Sequence, residues 1–322
     1  MLRFALRRAA QVLLTLAILA LAAFLTIRSA PGGPAQVLLG PDRVTPELEA
    51  ELNQQLGLDR PLPEQFARWV ASLVQGDLGY SYFHRRPATD VVGERLPATL
   101  LLGGLAFVLS LGGGVALGVW AALCRGSWVD RALSSAAVGV VSTPSFWLGI
   151  VLIVIFAAWL RVLPSAGMAP IGREDDLLER GRHLLLPLLT MAAPHAASLA
   201  LYTRAAMLEA LAADYTRTAR AKGASERQVA WRHALRNAAI PIATIAGLNL
   251  PHVVEGSVIV ESVFAWPGLG QLTVASVSRR DYLILLAVTL LVALHDWCAA
   301  RSGPCCTGRT SRPRGRSAPV VA

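Results

Sequence analysis

The sequence predicts an all-α, polytopic membrane protein with about six transmembrane helices, and three observations predict it. Of its 322 residues, 54% are hydrophobic and only 16% charged, too apolar a balance for an ordinary soluble domain. Several uncharged runs reach roughly 18 residues or more, enough to cross about 30 Å of hydrocarbon. The segments linking those runs alternate between arginine-rich ones and ones that hold nearly all the acids in near balance with their bases, the asymmetry from which the positive-inside rule reads orientation. A net charge of +9 would suggest nucleic acid in a soluble protein. Here no aromatic-interleaved basic face accompanies it, so basic cytoplasmic loops account for the charge and no nucleic-acid partner is expected.

The elements follow in order. Arg3, Arg7 and Arg8 precede an uncharged run from Ala9 to Ile27. That run is too long for a signal-peptide core and ends Ile27-Arg28-Ser29-Ala30 without a cleavage site, so residues 1–28 are expected to form a transmembrane helix. Residues 29–96 are polar and too long for a connector, and are expected to form an extracytoplasmic segment. Thr45-Pro46 is a helix-start signal there, and Leu52, Leu56, Phe66, Trp69 and Leu73 can cover a small domain at the membrane surface. A transmembrane domain is expected over 97–300, its second span running from about Pro97 to Leu123. Gly103-Gly104 and Gly112-Gly113-Gly114 in that span suit close approach of other helices.

The third span, about Ala132 to Leu160, carries a kink signal at Ser142-Thr143-Pro144-Ser145. The fourth covers about Leu184 to Tyr202 with Pro187 and Pro194, and the fifth Ala239 to about Ile259. The last apolar run, Leu283 to Leu294, stops at His295-Asp296, short of the roughly 17 residues a span needs. Residues 301–322 read as a disordered or frame-altered tail; resequencing the coding DNA across this junction tests the frame change. Counting arginines by side puts both termini, the 123–131 connection and the 204–239 loop together in the cytoplasm, around a bilayer-embedded bundle.

The 204–239 loop stands out. In the stretch from Asp214 to Pro241, Arg217, Arg220, Lys222, Arg227, Arg232 and Arg236 face only Asp214 and Glu226, in an alanine-rich setting. It predicts two short helices broken at Gly223, the second N-capped by Ser225. Lys222 is the chain's single lysine and precedes Gly223, so no GxxxxGK[ST] phosphate loop exists. Energy from ATP must then come from a partner.

Asp214-Tyr-Thr-Arg-Thr-Ala-Arg-Ala-Lys-Gly223, His233-Ala-Leu-Arg-Asn237 and Ile240-Pro241 together resemble the cytoplasmic signature loop of binding-protein-dependent ABC importer permeases, in their dipeptide/oligopeptide/nickel branch. Gly32-Gly33-Pro34, Leu56-Gly-Leu-Asp-Arg-Pro61, Gly76-Asp-Leu-Gly79, Val260-Glu-Ser-Val-Phe264 and Pro267-Gly-Leu-Gly270 extend the resemblance over roughly residues 1–290. It implies a type I ABC importer permease fold, half of a translocation pathway completed by a second permease subunit. It also implies two cytoplasmic ATPases that use the ATP and an extracytoplasmic substrate-binding protein. The chain itself is then not an enzyme and binds no cofactor. Di- or oligopeptides are the expected cargo, with nickel-chelate or glutathione import as alternatives. The family's Glu-Ala-Ala triplet falls on Arg217-Thr218-Ala219, so Ala219 and Gly223 are the matching positions and the glutamate role is unassigned.

The resemblance and the charge pattern point to Asp214, Tyr215, Arg217, Thr218, Ala219, Arg220, Ala221, Lys222, Gly223 and Ala224 as the ATPase-coupling segment. Ala219 and Ala221 are the small residues expected to enter a partner's cleft, with Arg220 and Lys222 at its rim. Asn249, His252 and Glu255 in the fifth span form a candidate polar lining, since an ionisable group at membrane depth faces a bundle interior or a pathway. Glu261 and Pro267-Gly268 are expected to shape that span's outer end. His183 and His195 read as structural, and Cys124, Cys298, Cys305 and Cys306 lack zinc-site spacing, so no metal is expected. Ser257 with His252 lacks a nucleophile elbow, which argues against a hydrolase. A secondary transporter or channel would call for inverted repeats or a charged relay, and neither is evident.

Overall fold

The computed structural model describes residues 59–81, 83–170, 172–173, 175–250, 257–279 and 281–307, with scattered positions before residue 59. Those scattered positions are helical wherever they fall between residues 10 and 25, consistent with the first expected span. The Gly32-Gly33-Pro34 motif, Leu56-Gly-Leu58 and residues 308–322 lie outside the described residues, and Thr45–Leu52 are described only at isolated positions.

In chain order the elements are α1 (Leu62–Val74), the antiparallel pair β1 (Tyr80–Ser81) and β2 (Arg86–Pro87), α2 (Ala88–Leu123), α3 (Trp128–Val141) and α4 (Ser145–Leu152). A widened π-helical stretch, Ile153–Trp159, continues α4. Then come α5 (Leu177–Ala212), α6 (Asp214–Ala221), α7 (Glu226–Gln228), a second π-helical stretch (Val229–Ala234) and α8 (Leu235–Leu248). The chain finishes with α9 (Ser257–Val263), α10 (Leu269–Arg279) and α11 (Tyr282–Thr307). Among the described residues, α2 and α5 are long and apolar enough to span a membrane, and α3 with α4 and its extension reaches that length only as a bent pair, a broken span or a re-entrant loop.

Several boundaries differ from those the sequence predicts. α2 starts at Ala88 rather than near Pro97, because its first turns carry Asp90, Glu94 and Arg95 and so give no apolar signal; Pro97 lies inside the helix. α5 starts at Leu177, where the Asp176 carboxylate accepts from the Leu178 and Glu179 amides at 3.0 and 3.4 Å, and runs unbroken past Pro187 and Pro194. The expected kink at Ser142–Ser145 is a complete break. Pro144 is extended (φ −59°, ψ 135°), as a residue entering a new helix must be, and the Thr143 hydroxyl donates to the Gly139 carbonyl at 2.8 Å. The backbone of α11 continues past His295-Asp296, since polar residues limit membrane insertion but not helicity; its apolar part is still only Leu283–His295.

The chain divides into two compact units. Unit 1 comprises residues 1–106, 144–191 and 252–297. Its core joins Ala88, Val91 and Val92 of α2 to Leu269 and Leu272 of α10 and Ile284, Ala287 and Val288 of α11. Within it Phe24 lies 5.4 Å from Phe66 and 6.1 Å from Trp69, ring centre to ring centre, so two of the expected covering residues do meet the first helical segment.

Unit 2 comprises residues 107–143, 192–251 and 298–322. Val119 and Ala122 of α2, Leu199, Met207 and Ala210 of α5, and Ala234, Ala238 and Ile242 around α8 form its core. Close helix approach occurs at Gly114 and Gly118: a Cβ there would come within 2.8 Å of the Ala196 carbonyl and 2.5 Å of the Ala200 carbonyl. Gly104, Gly112 and Gly113 meet nothing, and Leu101, Leu105, Val108 and Leu109 are exposed. Within this chain, then, Gly114 of the expected glycines receives another helix, joined by Gly118.

Candidate functional site

The conspicuous loop is built from the C-terminal end of α5 onward. α6 begins after Ala213, with Asp214 in its first turn and Arg220 in its last, complementing the helix dipole at both ends. Thr216 is fully buried, its hydroxyl donating to the carbonyls of Leu211 and Ala213 at 2.9 and 2.7 Å. Ala219, one turn on, is 9% exposed. These two residues form the inner face of α6. Ala219 therefore turns toward the protein rather than toward a partner, because its i,i+3 relation to Thr216 fixes its side. Ala221 is the small residue that remains exposed, together with Asp214, Tyr215, Arg217, Thr218, Lys222 and Gly223.

The end of α6 is a complete Schellman motif. The Ala224 amide donates to the Ala219 carbonyl at 3.1 Å and the Gly223 amide to the Arg220 carbonyl at 2.9 Å. Gly223 sits at φ +86°, with open space where a Cβ would be. Two residues later the Ser225 hydroxyl accepts from the Gln228 amide at 3.3 Å and the Gln228 side chain accepts from the Ser225 amide at 3.1 Å. This reciprocal capping box starts α7 as the sequence expects.

Arg220 is tied across the turn to Glu226, with N–O distances of 2.8 and 3.3 Å, and so braces the elbow rather than standing free at a rim. That hydrogen bond holds the Glu226 carboxyl below the usual carboxylate range. The Arg217–Asp214 pair is long at 3.8 Å and solvent-exposed, too weak to matter. The π-helical stretch then buries Val229, Ala230 and Ala234, anchoring the elbow to the core of unit 2.

Of the candidate lining residues, Asn249 is half-buried and closes α8, its amide donating to the Ile245 and Ala246 carbonyls. His252 and Glu255 lie outside the described residues.

Two arrangements were not legible beforehand. In unit 2, Asp130 is buried and accepts from Arg204 at 2.5 and 2.8 Å and from the Gly126 amide at 3.0 Å. The Ser127-x-x-Asp130 spacing signals the cap of α3, but nothing local pairs Asp130 with a residue 74 positions away. In unit 1, Glu261 is completely buried: it accepts from the Thr99 hydroxyl at 2.8 Å and from the amides of Gly270 and Gln271 at 2.6 and 3.1 Å. Trp266 donates from its indole to the Ala98 carbonyl at 3.0 Å. The carboxylate thus caps α10 and joins it to α2, giving physical content to the expectation that Glu261 and Pro267-Gly268 shape the end of that span.

The chain matches the family described as binding-protein-dependent transport system inner membrane component over residues 114–299, and that family's N-terminal region over residues 1–103. It is 41% identical over 295 residues to the glutathione transport system permease protein GsiC of Escherichia coli (strain K12), covering 92% of this chain and 93% of that protein. The same-named protein of Shigella boydii serotype 4 is 40% identical over the same length. Among solved structures, an inward-facing MetNI methionine ABC transporter chain aligns with a TM-score of 0.51 at 20% identity, covering 67% of this chain and 95% of that one. That likeness shows the fold, the type I importer permease architecture. With apolar helices, matched family regions and full-length relatives in agreement, this chain belongs to the family of inner membrane components of binding-protein-dependent transport systems and is a multi-pass permease subunit of an ABC importer.

Proposed function

We propose that this subunit pairs with a second permease, that two cytoplasmic ATPases drive the pair, and that α6 with its Gly223 turn is the coupling element. Both termini then lie in the cytoplasm, ATP is used only by the ATPases, and this chain binds no cofactor of its own. The observation that carries the reading is the elbow itself. A short helix stopped by a Schellman turn exposes Tyr215, Arg217, Thr218, Ala221 and Lys222, while Thr216 and Ala219 and the Arg220–Glu226 brace hold it against unit 2. A partner gripping such a helix pulls on a packed core, so its motion is delivered to the membrane helices instead of being absorbed in a flexible loop.

The cargo is a short peptide, and the named function of the 41% identical relatives makes glutathione, itself a tripeptide, the first substrate to test. Isothermal titration of the external binding protein with glutathione, dipeptides and longer peptides measures this; exclusive binding of a nickel chelate would replace the peptide reading. For coupling, Gly223→Arg in the assembled transporter should abolish uptake and ATPase co-elution while leaving membrane insertion intact. Uptake persisting in that variant overturns the coupling role.

A further inference from the structure

The segment after the elbow carries a second surface. Arg227, Gln228, Trp231 and Arg232 line a shallow cavity of about 540 Å³. Trp231 is 55% exposed at its wall. Among the described residues no carboxylate pairs with Arg227, Arg232 or Arg236; the nearby acid, Glu226, is engaged by Arg220.

From this cavity an exposed ridge descends α8 at i,i+4 spacing: Arg232, Arg236, Ile240, Thr244 and Leu248. The positions between them, Ala234, Ala238, Ile242 and Ala246, are buried. The surface thus passes from the arginine-lined cavity, with Trp231 at its wall, through Arg236 to a ridge that is aliphatic apart from Thr244, with Leu248 67% exposed. A single leaflet changes polarity in the same direction, from the phosphate and interfacial layer, where Arg and Trp are favoured, to acyl chains. A soluble protein partner presents no such gradient, whereas a phosphodiester matches two guanidinium forks.

We propose that the Arg227–Trp231–Arg232 cavity binds the headgroup of an anionic phospholipid, whose acyl chains lie along the Ile240–Leu248 ridge. The lipid would seat the segment joining the coupling elbow to unit 2. The inference rests on the reading above in placing this surface at the cytoplasmic leaflet.

Native mass spectrometry of the assembled transporter, titrated with phosphatidylglycerol or phosphatidylcholine, tests the proposal. Phosphatidylglycerol should be retained in preference. The doubly substituted R227Q/R232Q transporter should hold it about 25-fold more weakly, roughly fivefold per guanidinium removed, with phosphatidylcholine unaffected. Equal retention of the two lipids, or unchanged retention by the double variant, overturns the site. Displacement of the lipid by inorganic phosphate or glycerol phosphate at matched concentration reassigns it to free anions. Loss of the ATPase subunits from the double variant with lipid retention unchanged makes the patch a protein contact. G223R provides the separation: it should lose uptake and keep the lipid, so failure of the coupling reading and failure of the lipid site give different results.

Discussion

Gly223 shows how one residue's conformation can matter more than its contacts. Nothing crowds its missing side chain, yet its φ of +86° lies where an L-residue is strained by roughly 1–2 kcal/mol. Gly223→Ala should therefore loosen the Schellman turn without disturbing the membrane helices. Uptake should fall several-fold in reconstituted vesicles while the melting temperature of the whole protein hardly moves. Gly270 is the opposite case. A Cβ there would lie 2.4 Å from the Val258 Cα, backbone that cannot swing aside, so Gly270→Ala should cost about 1–3 kcal/mol and reduce the yield of folded protein in fluorescence-detected gel filtration. At Gly268 the obstructing atoms are those of the Glu261 carboxylate, also at 2.4 Å but held in place by three hydrogen bonds.

At the scale of elements, the Arg220–Glu226 brace links α6 to α7 and brings a defined pH dependence. The folded-state pKa of Glu226 is lowered, so the brace contributes above the ordinary carboxylate pKa and is lost as pH falls through the depressed value. At neutral pH it is fully present. Glu226→Gln should make the Ala221–Ala224 turn more sensitive to limited proteolysis at pH 7, and acidification should add less in the variant than in the parent. The Asp130–Arg204 pair anchors the start of α3 to α5 within unit 2. Removing one partner strands the other in a poorly solvated position. Arg204→Gln should lower the thermal midpoint more than Asp130→Asn, because it strands the more buried partner, the Asp130 carboxylate, whereas an amide in place of that carboxylate keeps an oxygen to accept from the Gly126 amide.

At the scale of the whole molecule, the chain is one component of a larger machine. Its unpacked apolar surfaces, such as Leu101, Leu105 and Val108 on α2, suit lipid or a neighbouring membrane subunit. Expressed alone, the subunit should insert into the membrane and give no uptake of labelled glutathione or dipeptide. Uptake should appear only with the second permease, the ATPases and the binding protein together, and vanish when ATP hydrolysis is blocked. Uptake by the lone chain, driven by an ion gradient, would mean a secondary transporter.

Much of this was legible in the sequence because the relevant signals are local. Hydropathy over a helix length declares a span, Gly223 followed by Ser225 declares a stop and a new start, and Lys222-Gly223 rules out a phosphate loop of the GxxxxGK[ST] type, all within a few residues. Helix ends were misplaced where polar turns extend beyond the apolar run, as at Ala88 and Leu177, since hydrogen bonding along the backbone does not stop where hydropathy does. Only the tertiary structure decided that Ala219 faces inward, that Arg220 is spent on Glu226, that Asp130 meets Arg204 and that Glu261 joins α10 to Thr99. Each depends on which side of one helix meets another, and on partners as far as 162 residues apart in the chain. The sequence alone determined a greasy, arginine-sided bundle with a basic elbow; packing decided which of the elbow's side chains are offered outward and which hold it in place.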